Sequence, residues 1–161
     1  MRKNLRLGLL VAFLLAVVSL PAAAAPSDTR SGDKKVEVIR LTSITVEEVD
    51  LDLGEPGDSL GDQFVFTDDL FRGGEKVGIL GVVCSAVRIT ADAFSIQCVG
   101  TAELPKGQIT VQGLITFSEA TEGQPFELAI TGGTGRYRTA HGVVTVEEGE
   151  TEDRLTFQII R

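Results

Sequence analysis

Aspartate, histidine and cysteine are the residue types in this chain with spacing that could support chemistry. Asp68 and Asp69 lie in the run QFVFTDDLF, and His141 is the only histidine of the 161 residues. Successive side chains of a strand point to opposite faces, so Asp68 continues the face of Phe64 and Phe66. A carboxylate on an apolar face is costly without a partner, and burial raises its pKa. Asp68 is therefore the candidate acid or base; the alternative is a strand-end carboxylate that reaches solvent.

His141 is the second candidate for catalysis. It alternates with Val143 and Thr145, so it could face inward and assist Asp68, or it could be a surface histidine. No G-x-S-x-G elbow supports a serine nucleophile, and no His, Cys and Asp set has metal-ligand spacing. The TGGTG run at 131–135 precedes strand-forming residues rather than a helix, so it predicts a hairpin turn and not a phosphate loop.

The two cysteines predict a cross-strand disulfide. The segments 76–90 and 94–104 form an apparent hairpin around Ala91, and Cys84 and Cys98 are symmetric about that residue. Directly opposed strand residues approach to about 4.5 Å between Cα atoms, which is within disulfide range. An even cysteine count in an exported protein favours the bond, whereas two buried thiols are the alternative.

The N-terminal residues predict export. Arg2, Lys3 and Arg6 precede the apolar run 7–20, and an A-x-A site lies at 23–25. The run is shorter than the roughly 20 residues that span a bilayer. We therefore expect a signal peptide at 1–25 and a secreted protein without membrane attachment, although a retained anchor is the alternative. A flexible leader at 26–35 and a barrel domain at 36–161 would follow.

The charge of the chain limits its partners. Removing residues 1–25 would delete Arg2, Lys3 and Arg6 and take the formal net charge from −8 to −11. Such an acidic surface repels nucleic acid and anionic lipid, so neither is predicted as a partner.

The rest of the sequence predicts an all-β fold of about eight strands. Apolar and polar residues alternate in short runs, and Gly- or Pro-containing turns separate the runs. An antiparallel meander of this kind removes its exposed edges by closing into a barrel. Eight strands enclose an interior that side chains fill or that holds one small ligand. The predicted strands are 35–53, 62–71, 76–90, 94–104, 109–117, 126–131, 137–146 and 154–161.

Three sequence runs resemble the allene oxide cyclase-like barrel family, which is related to plant dirigent proteins. The runs are GDQFVFTDDLFRGGEKVGILGVVCSAV (61–87), GQITVQG (107–113) and AITGGTGRYRTAHGVVTV (129–146). The resemblance implies an eight-stranded antiparallel barrel, commonly a homotrimer, with a mostly apolar cavity. It also implies a protein that holds a reactive apolar small molecule and steers its cyclisation or coupling without a cofactor.

The resemblance also implies site residues. The asparagine of the cyclase F-T-N element falls on Asp68, its cavity cysteine falls on Cys84, and a cavity aromatic residue falls near Cys98. The first-strand glutamate of the cyclases could correspond to Glu37 or Glu47. His141 stands where dirigent proteins carry an arginine. The predicted cavity is therefore lined by Phe64, Phe66, Cys84 and Cys98, with Asp68 and His141 as the catalytic pair.

Two functions remain open from the sequence. The barrel could direct the ring closure or coupling of a reactive molecule, with Asp68 transferring a proton. It could instead be a non-catalytic module that binds an apolar ligand or another protein. A cavity that is filled by its own Phe and Leu side chains would favour the second function.

Overall fold

The computed structural model describes residues 35–160, which form one closed barrel of eight antiparallel strands. Each strand pairs with its neighbours in chain order, and β8 pairs with β1 to close the barrel. This confirms the predicted fold class. The predicted signal peptide at 1–25 and residues 26–34 of the predicted leader lie outside the described residues. The strands are β1 (Val36–Leu51), β2 (Gln63–Arg72), β3 (Glu75–Ile89), β4 (Phe94–Leu104), β5 (Gly107–Phe117), β6 (Phe126–Gly133), β7 (His141–Glu147) and β8 (Asp153–Ile160).

The two ends of the barrel differ, and we call them the closed end and the open end. The tight turns 73–74 and 105–106 lie at the closed end. A 3-10 helix, Gly135–Tyr137, contacts β5 and β6 there, and Tyr137 is buried in the core. The longer connections lie at the open end, and these are 52–62, 90–93, 118–125 and 148–152.

Strand β1 closes the barrel by changing partners along its length. Its first part, from Val36 to Ser43, pairs with β8, and its second part, from Thr42 to Leu51, pairs with β2. The sequence predicts a bend or bulge near 40–43 that lets one strand serve two stretches of sheet. The partner change does occur there, but the register shift lies a little further on, between Thr45 and Glu47. A bulge increases the local twist and bends the strand around the barrel.

The inner face of the barrel is apolar with a period of two residues. The largest fully buried side chains are Phe157, Leu70, Ile109 and Ile159. They belong to one cluster that extends from the closed end through the middle of the barrel. Burying each such side chain contributes about 1.5–3 kcal/mol. A second, smaller cluster around the cysteines lies towards the open end.

Cys84 and Cys98 form the disulfide that the hairpin predicts. The two residues are direct partners on β3 and β4, with their Cα atoms 4.0 Å apart. The turn 90–93 is centred half a residue beyond Ala91, and a register shift between Ala86 and Arg88 compensates for the offset. The bulge therefore keeps the cysteines opposite one another.

The prediction that a strand begins at Tyr137 is wrong. Strand β6 continues to Gly133, the 3-10 helix follows, and β7 begins only at His141. The N–H of Tyr137 donates to the Thr134 carbonyl at 2.8 Å, and the N–H of Ala140 donates to the Tyr137 carbonyl at 2.9 Å. These local bonds place the Tyr137 side chain in the core, and this burial outweighs its preference for a strand.

We expect the disulfide to stabilise the barrel without being needed for its topology. The Cys84→Ala and Cys98→Ala double variant should keep its far-ultraviolet circular dichroism and lose about 2–3 kcal/mol of unfolding free energy, because the bond closes a short loop in the unfolded chain. Denaturant unfolding measures this loss, and the native chain in reductant is the control. Two free thiols in the unfolded, unreduced native chain would refute the bond.

Candidate functional site at the open end of the barrel

The inward-facing side chains at the open end form an aromatic mouth. Phe64, Phe66, Phe94 and Phe126 all pack against the cluster around the disulfide, yet each is only partly buried. The rings of Phe64 and Phe94 meet edge to face, with centroids 5.8 Å apart and planes at 85°. Partial exposure of inward-facing rings means that solvent enters this half of the barrel, in contrast to the filled closed end.

Asp68 lies on the inner face just below the aromatic mouth. It follows Phe64 and Phe66 on the same face of β2 and precedes the fully buried Leu70. Only 3% of Asp68 is exposed, and the Thr45 hydroxyl donates to its Oδ1 at 2.9 Å. The structure therefore does not show the alternative prediction, in which the Asp68 carboxylate reaches solvent.

Several groups act on the pKa of Asp68. Burial raises the pKa most, and the nearby carboxylates of Asp153 and Glu48 raise it further by repulsion. Hydrogen bonds from the hydroxyls of Thr45 and Ser43 oppose the rise without cancelling it. A carboxyl group with a raised pKa can hold a proton and donate it to a bound molecule, or it can accept one.

Asp153 and Glu48 are inward-facing carboxylates that sequence reasoning missed. Asp153 is opposite Ser43 and shares the inner face of β8 with Leu155, and the N–H of Gly149 donates to its Oδ1 at 3.0 Å. Glu48 is opposite Phe66. The alternation of β8 extends to Asp153, and that signal could have found it, but the predicted last strand begins only at Arg154.

Glu37 and Glu47, the two candidates for the first-strand glutamate of the cyclases, do not lie near Asp68. Glu37 faces inward at the closed end, opposite Ile159, and pairs with Arg136 at 3.5 Å. Glu47 is exposed and opposite Thr67, on the outer face. On the first strand it is Glu48 that lies near Asp68.

His141 lies far from Asp68. It is exposed at the closed end, where its Nδ1 is 3.3 Å from the Thr139 carbonyl oxygen. Asp68 is opposite Thr45 of β1. His141 and Val36 are both opposite Ile160, so His141 lies at the same height in the barrel as Val36. Val36 and Thr45 are nine residues apart on β1, which corresponds to roughly 30 Å of strand. The structure therefore does not bring the predicted catalytic pair together, and the histidine lies on the outer face.

Two cavities bear on what the interior and the open end of the barrel can hold. The void in the middle of the barrel has a volume of about 40 Å³, and its walls are apolar. It is too small for an organic substrate, since ligand pockets measure about 300–1,000 Å³. A cleft of about 650 Å³ opens at the open end, with Phe94, Ile115 and Phe126 among its lining residues.

The cleft is present because β5 and β6 separate. Their pairing ends at Gln112 and Ala129, so the remaining five residues of β5 up to Phe117 have no partner on that side. The loop 118–125 holds the strands apart, and the Thr121 hydroxyl donates to the Thr116 carbonyl at 2.9 Å. The cleft therefore meets the aromatic mouth at Phe94 and Phe126.

The connection 52–62 forms the opposite rim and is ordered by one carboxylate. Asp62 accepts the N–H of Leu53 at 2.8 Å and the N–H of Ser59 at 2.7 Å. These backbone hydrogen bonds hold the pKa of Asp62 below its ordinary value. The rim of the site is thus held in a defined conformation beside the start of β2.

The open end is acidic. Its basic residues within 35–160 are Arg88 and Arg154, and Arg154 is paired with Glu147 at 3.3 Å. Such a field repels anionic ligands and favours neutral or cationic ones. Carboxylates that lie around the mouth and the cleft are Glu48, Asp50, Asp92, Glu122, Glu127, Glu148 and Asp153.

Two further features of the described chain bear on function. Between residues 35 and 160, no three His, Cys, Asp or Glu side chains are grouped so that they could hold a metal ion. The same residues contain no helix that is long and apolar enough to cross a membrane.

The fold and the sequence together define the family. The allene oxide cyclase barrel-like domain matches residues 41–160, so the chain belongs to this family, as the three sequence runs predict. Among solved structures it is similar to a pyocyanin demethylase, with 30% identity, a TM-score of 0.67, and coverage of 76% of this chain and 99% of that one. No significant match was found among curated protein sequences.

Two more distant structures share the fold alone. One is AbnU, an exo-specific intermolecular Diels-Alderase, with 14% identity, a TM-score of 0.63, and coverage of 78% of this chain and 98% of that one. The other is the pterocarpan synthase dirigent protein PsPTS1, with 17% identity, a TM-score of 0.55, and coverage of 78% and 94%.

Asp68→Asn should stabilise the barrel at neutral pH. Asp68 has a folded pKa above its unfolded value, so its ionisation destabilises the fold as the pH rises through the folded pKa. The asparagine removes this penalty and still accepts from Thr45. Each unit of pKa difference corresponds to about 1.4 kcal/mol at pH 7, and the gain should vanish below about pH 4.

Denaturant unfolding from pH 3 to pH 8 measures this effect. Asp69→Asn is the matched control, because Asp69 faces outward and pairs with Lys76 at 2.6 Å. A stability difference between the native chain and Asp68→Asn that does not change with pH would contradict the buried, protonatable state of Asp68.

Proposed function

We propose that this protein binds an apolar, reactive small molecule in the aromatic mouth and steers its cyclisation or coupling without a cofactor. The observation that supports the proposal most is the buried Asp68, which lies below the rings of Phe64 and Phe66 in a half of the barrel that solvent enters. Rings on several sides would hold a flexible substrate in one folded conformation, and this orientation alone can remove a large part of a barrier.

Asp68 would supply the polar step of the reaction. Its raised pKa lets the neutral carboxyl group donate a proton or a hydrogen bond to an oxygen on which negative charge develops. The nearby side chains of Asp153 and Glu48 would stabilise a developing positive charge. Ring closure is an isomerisation, so the proton returns to Asp68 and no oxidant or reductant is consumed.

The acidic open end limits the charge of the substrates that the protein would bind. A fatty-acid epoxide of the kind that allene oxide cyclases use carries a carboxylate, which this mouth would repel. We therefore expect a neutral or cationic substrate with an apolar, planar or polyunsaturated body. The pyocyanin demethylase that is 30% identical to this chain makes pyocyanin a suitable probe of the site.

A non-catalytic ligand-binding role is the second candidate function. The observation that favours it is the filled barrel interior, where the void has a volume of only about 40 Å³. A ligand could then be held only in the aromatic mouth and the cleft. Under this alternative the protein would bind apolar molecules at the open end and leave them unchanged.

We also propose that the mature protein is secreted and forms a homotrimer. The feature that supports the homotrimer is a row of outward-facing valines in register across four strands, which we call the valine face. It consists of Val49, Val65, Val83 and Val99, and the neighbouring rows on β2 to β5 carry no charge. An uncharged surface of this kind lets an acidic chain pack against its own copies without bringing like charges together.

The proposed steering can be tested with an allene oxide generated in situ as its methyl ester and as its free acid. We expect an excess of one enantiomer of the cyclised ester, and a smaller excess for the acid because the open end repels it. Asp68→Asn should reduce the rate by about 100-fold. Asp69→Asn and His141→Ala are controls that should retain the selectivity of the native chain.

A racemic product, identical to that of the protein-free reaction, would exclude this substrate class. Binding of pyocyanin, followed by absorbance, then separates the two candidate functions. Binding that Phe66→Ala weakens, with no turnover of either probe, would support the non-catalytic barrel over the enzyme.

The trimer is tested by light scattering after size exclusion. The native chain should have three times the mass of one protomer, and Val99→Lys should shift it to a monomer. Val36→Lys is the matched control, because Val36 is 51% exposed and Val99 is 52% exposed, but Val36 lies outside the valine face. A monomeric native chain, or a trimeric Val99→Lys variant, would refute this interface.

A further inference from the structure

The closed end carries a second pocket, which is separate from the aromatic mouth. Residues 36–41 of β1 pair with β8 only, because β2 ends at Arg72 and its pairing with β1 begins at Thr42. The barrel wall is therefore open between the start of β1 and the β4–β5 turn 105–106. The pocket at this opening has a volume of about 450 Å³, within the range of small-molecule sites.

Three cations surround this pocket. Arg40, Arg72 and Lys106 line it, and none of the three has an ion-pair partner among the described residues. The one carboxylate among the lining residues is Glu37, which is already paired with Arg136. In a chain with a formal net charge of −8, these three exposed cations produce a local positive potential at the opening.

The floor of the pocket is apolar. Val77, Leu104 and Pro105 contribute to its wall, and Tyr137 is buried against it. A site with an apolar wall and a cationic rim matches a ligand that has a compact apolar body and one anionic group. The guanidinium groups of Arg40 and Arg72 have the planar geometry that binds a carboxylate through two parallel hydrogen bonds.

We propose that the closed-end pocket is a second ligand site, which takes an organic carboxylate with a compact apolar body. The carboxylate binds among Arg40, Arg72 and Lys106, and the apolar body packs on Val77 and Leu104. This pocket selects anionic ligands, whereas the open end favours neutral or cationic ones. It does not depend on the proposed function, since no residue of the pocket lines the aromatic mouth or the cleft.

The probe is 2-naphthoate, with binding to the native chain measured by calorimetry at low salt. Arg40→Gln combined with Lys106→Gln should raise the dissociation constant at least tenfold, and Arg72→Lys, which keeps the charge but loses the planar fork, should raise it less. Inorganic phosphate and neutral 2-naphthylmethanol should each bind more weakly than 2-naphthoate, because each lacks one half of the recognised chemistry.

Lys76→Gln combined with Arg88→Gln is the matched control, because it removes the same charge from exposed positions outside the pocket. This control should change the dissociation constant less than twofold, as should Phe66→Ala at the open end. The proposal is overturned if the Arg40 and Lys106 variant binds like the native chain, if the control loses as much affinity, or if Phe66→Ala abolishes binding.

Discussion

The partner change of β1 is the constraint on which the rest of this structure depends. A sheet closes into a barrel only when its strands tilt and their pairing is staggered. A strand at the closure then pairs with one neighbouring strand over its first part and with the other neighbouring strand over its second part. Here the change falls at residues 42–43, where Thr42 and Ser43 pair with both β2 and β8. On either side of this point, β1 has one free edge.

The candidate site and the closed-end pocket both follow from this stagger. Ser43 and Thr45 lie at and just beyond the partner change, and both donate to Asp68. Asp153, the first residue of β8, is opposite Ser43 and brings a second carboxylate to the same place. The free edge of residues 36–41 forms one side of the closed-end pocket. The seam that closes the barrel is thus also where its polar interior groups gather.

Much of the fold could be predicted from sequence because alternation is a local signal. The eight strands, the pairing of Cys84 with Cys98 and the inward direction of Asp68 all depend on a period of two residues over short distances. The 3-10 helix at Gly135–Tyr137 could not be predicted in this way, because it depends on the burial of Tyr137 at one end of the completed barrel. The strand-forming residues around Tyr137 instead predict that a continuous strand begins there.

The composition of the site was harder to predict than its location. Asp153 belongs to a run of acidic residues, and nothing in the local sequence shows that β8 begins there. Glu48 points inward only because a bulge in β1 shifts the alternation of the strand. His141 shares a sequence motif with the family but lies about a barrel length away from Asp68, because strand register rather than sequence distance decides which end a residue occupies. The opposite charges of the two ends also appear only when the strands are assembled.

The most direct measurement is a crystal structure of the protein soaked with pyocyanin. We expect the ligand to lie among Phe66, Phe94 and Phe126, reached through the cleft between β5 and β6, with a polar atom within about 3 Å of the Asp68 carboxyl group. A ligand that binds only on the outer surface, or that occupies the mouth without approaching Asp68, would contradict the claim that this carboxyl group acts on the bound molecule.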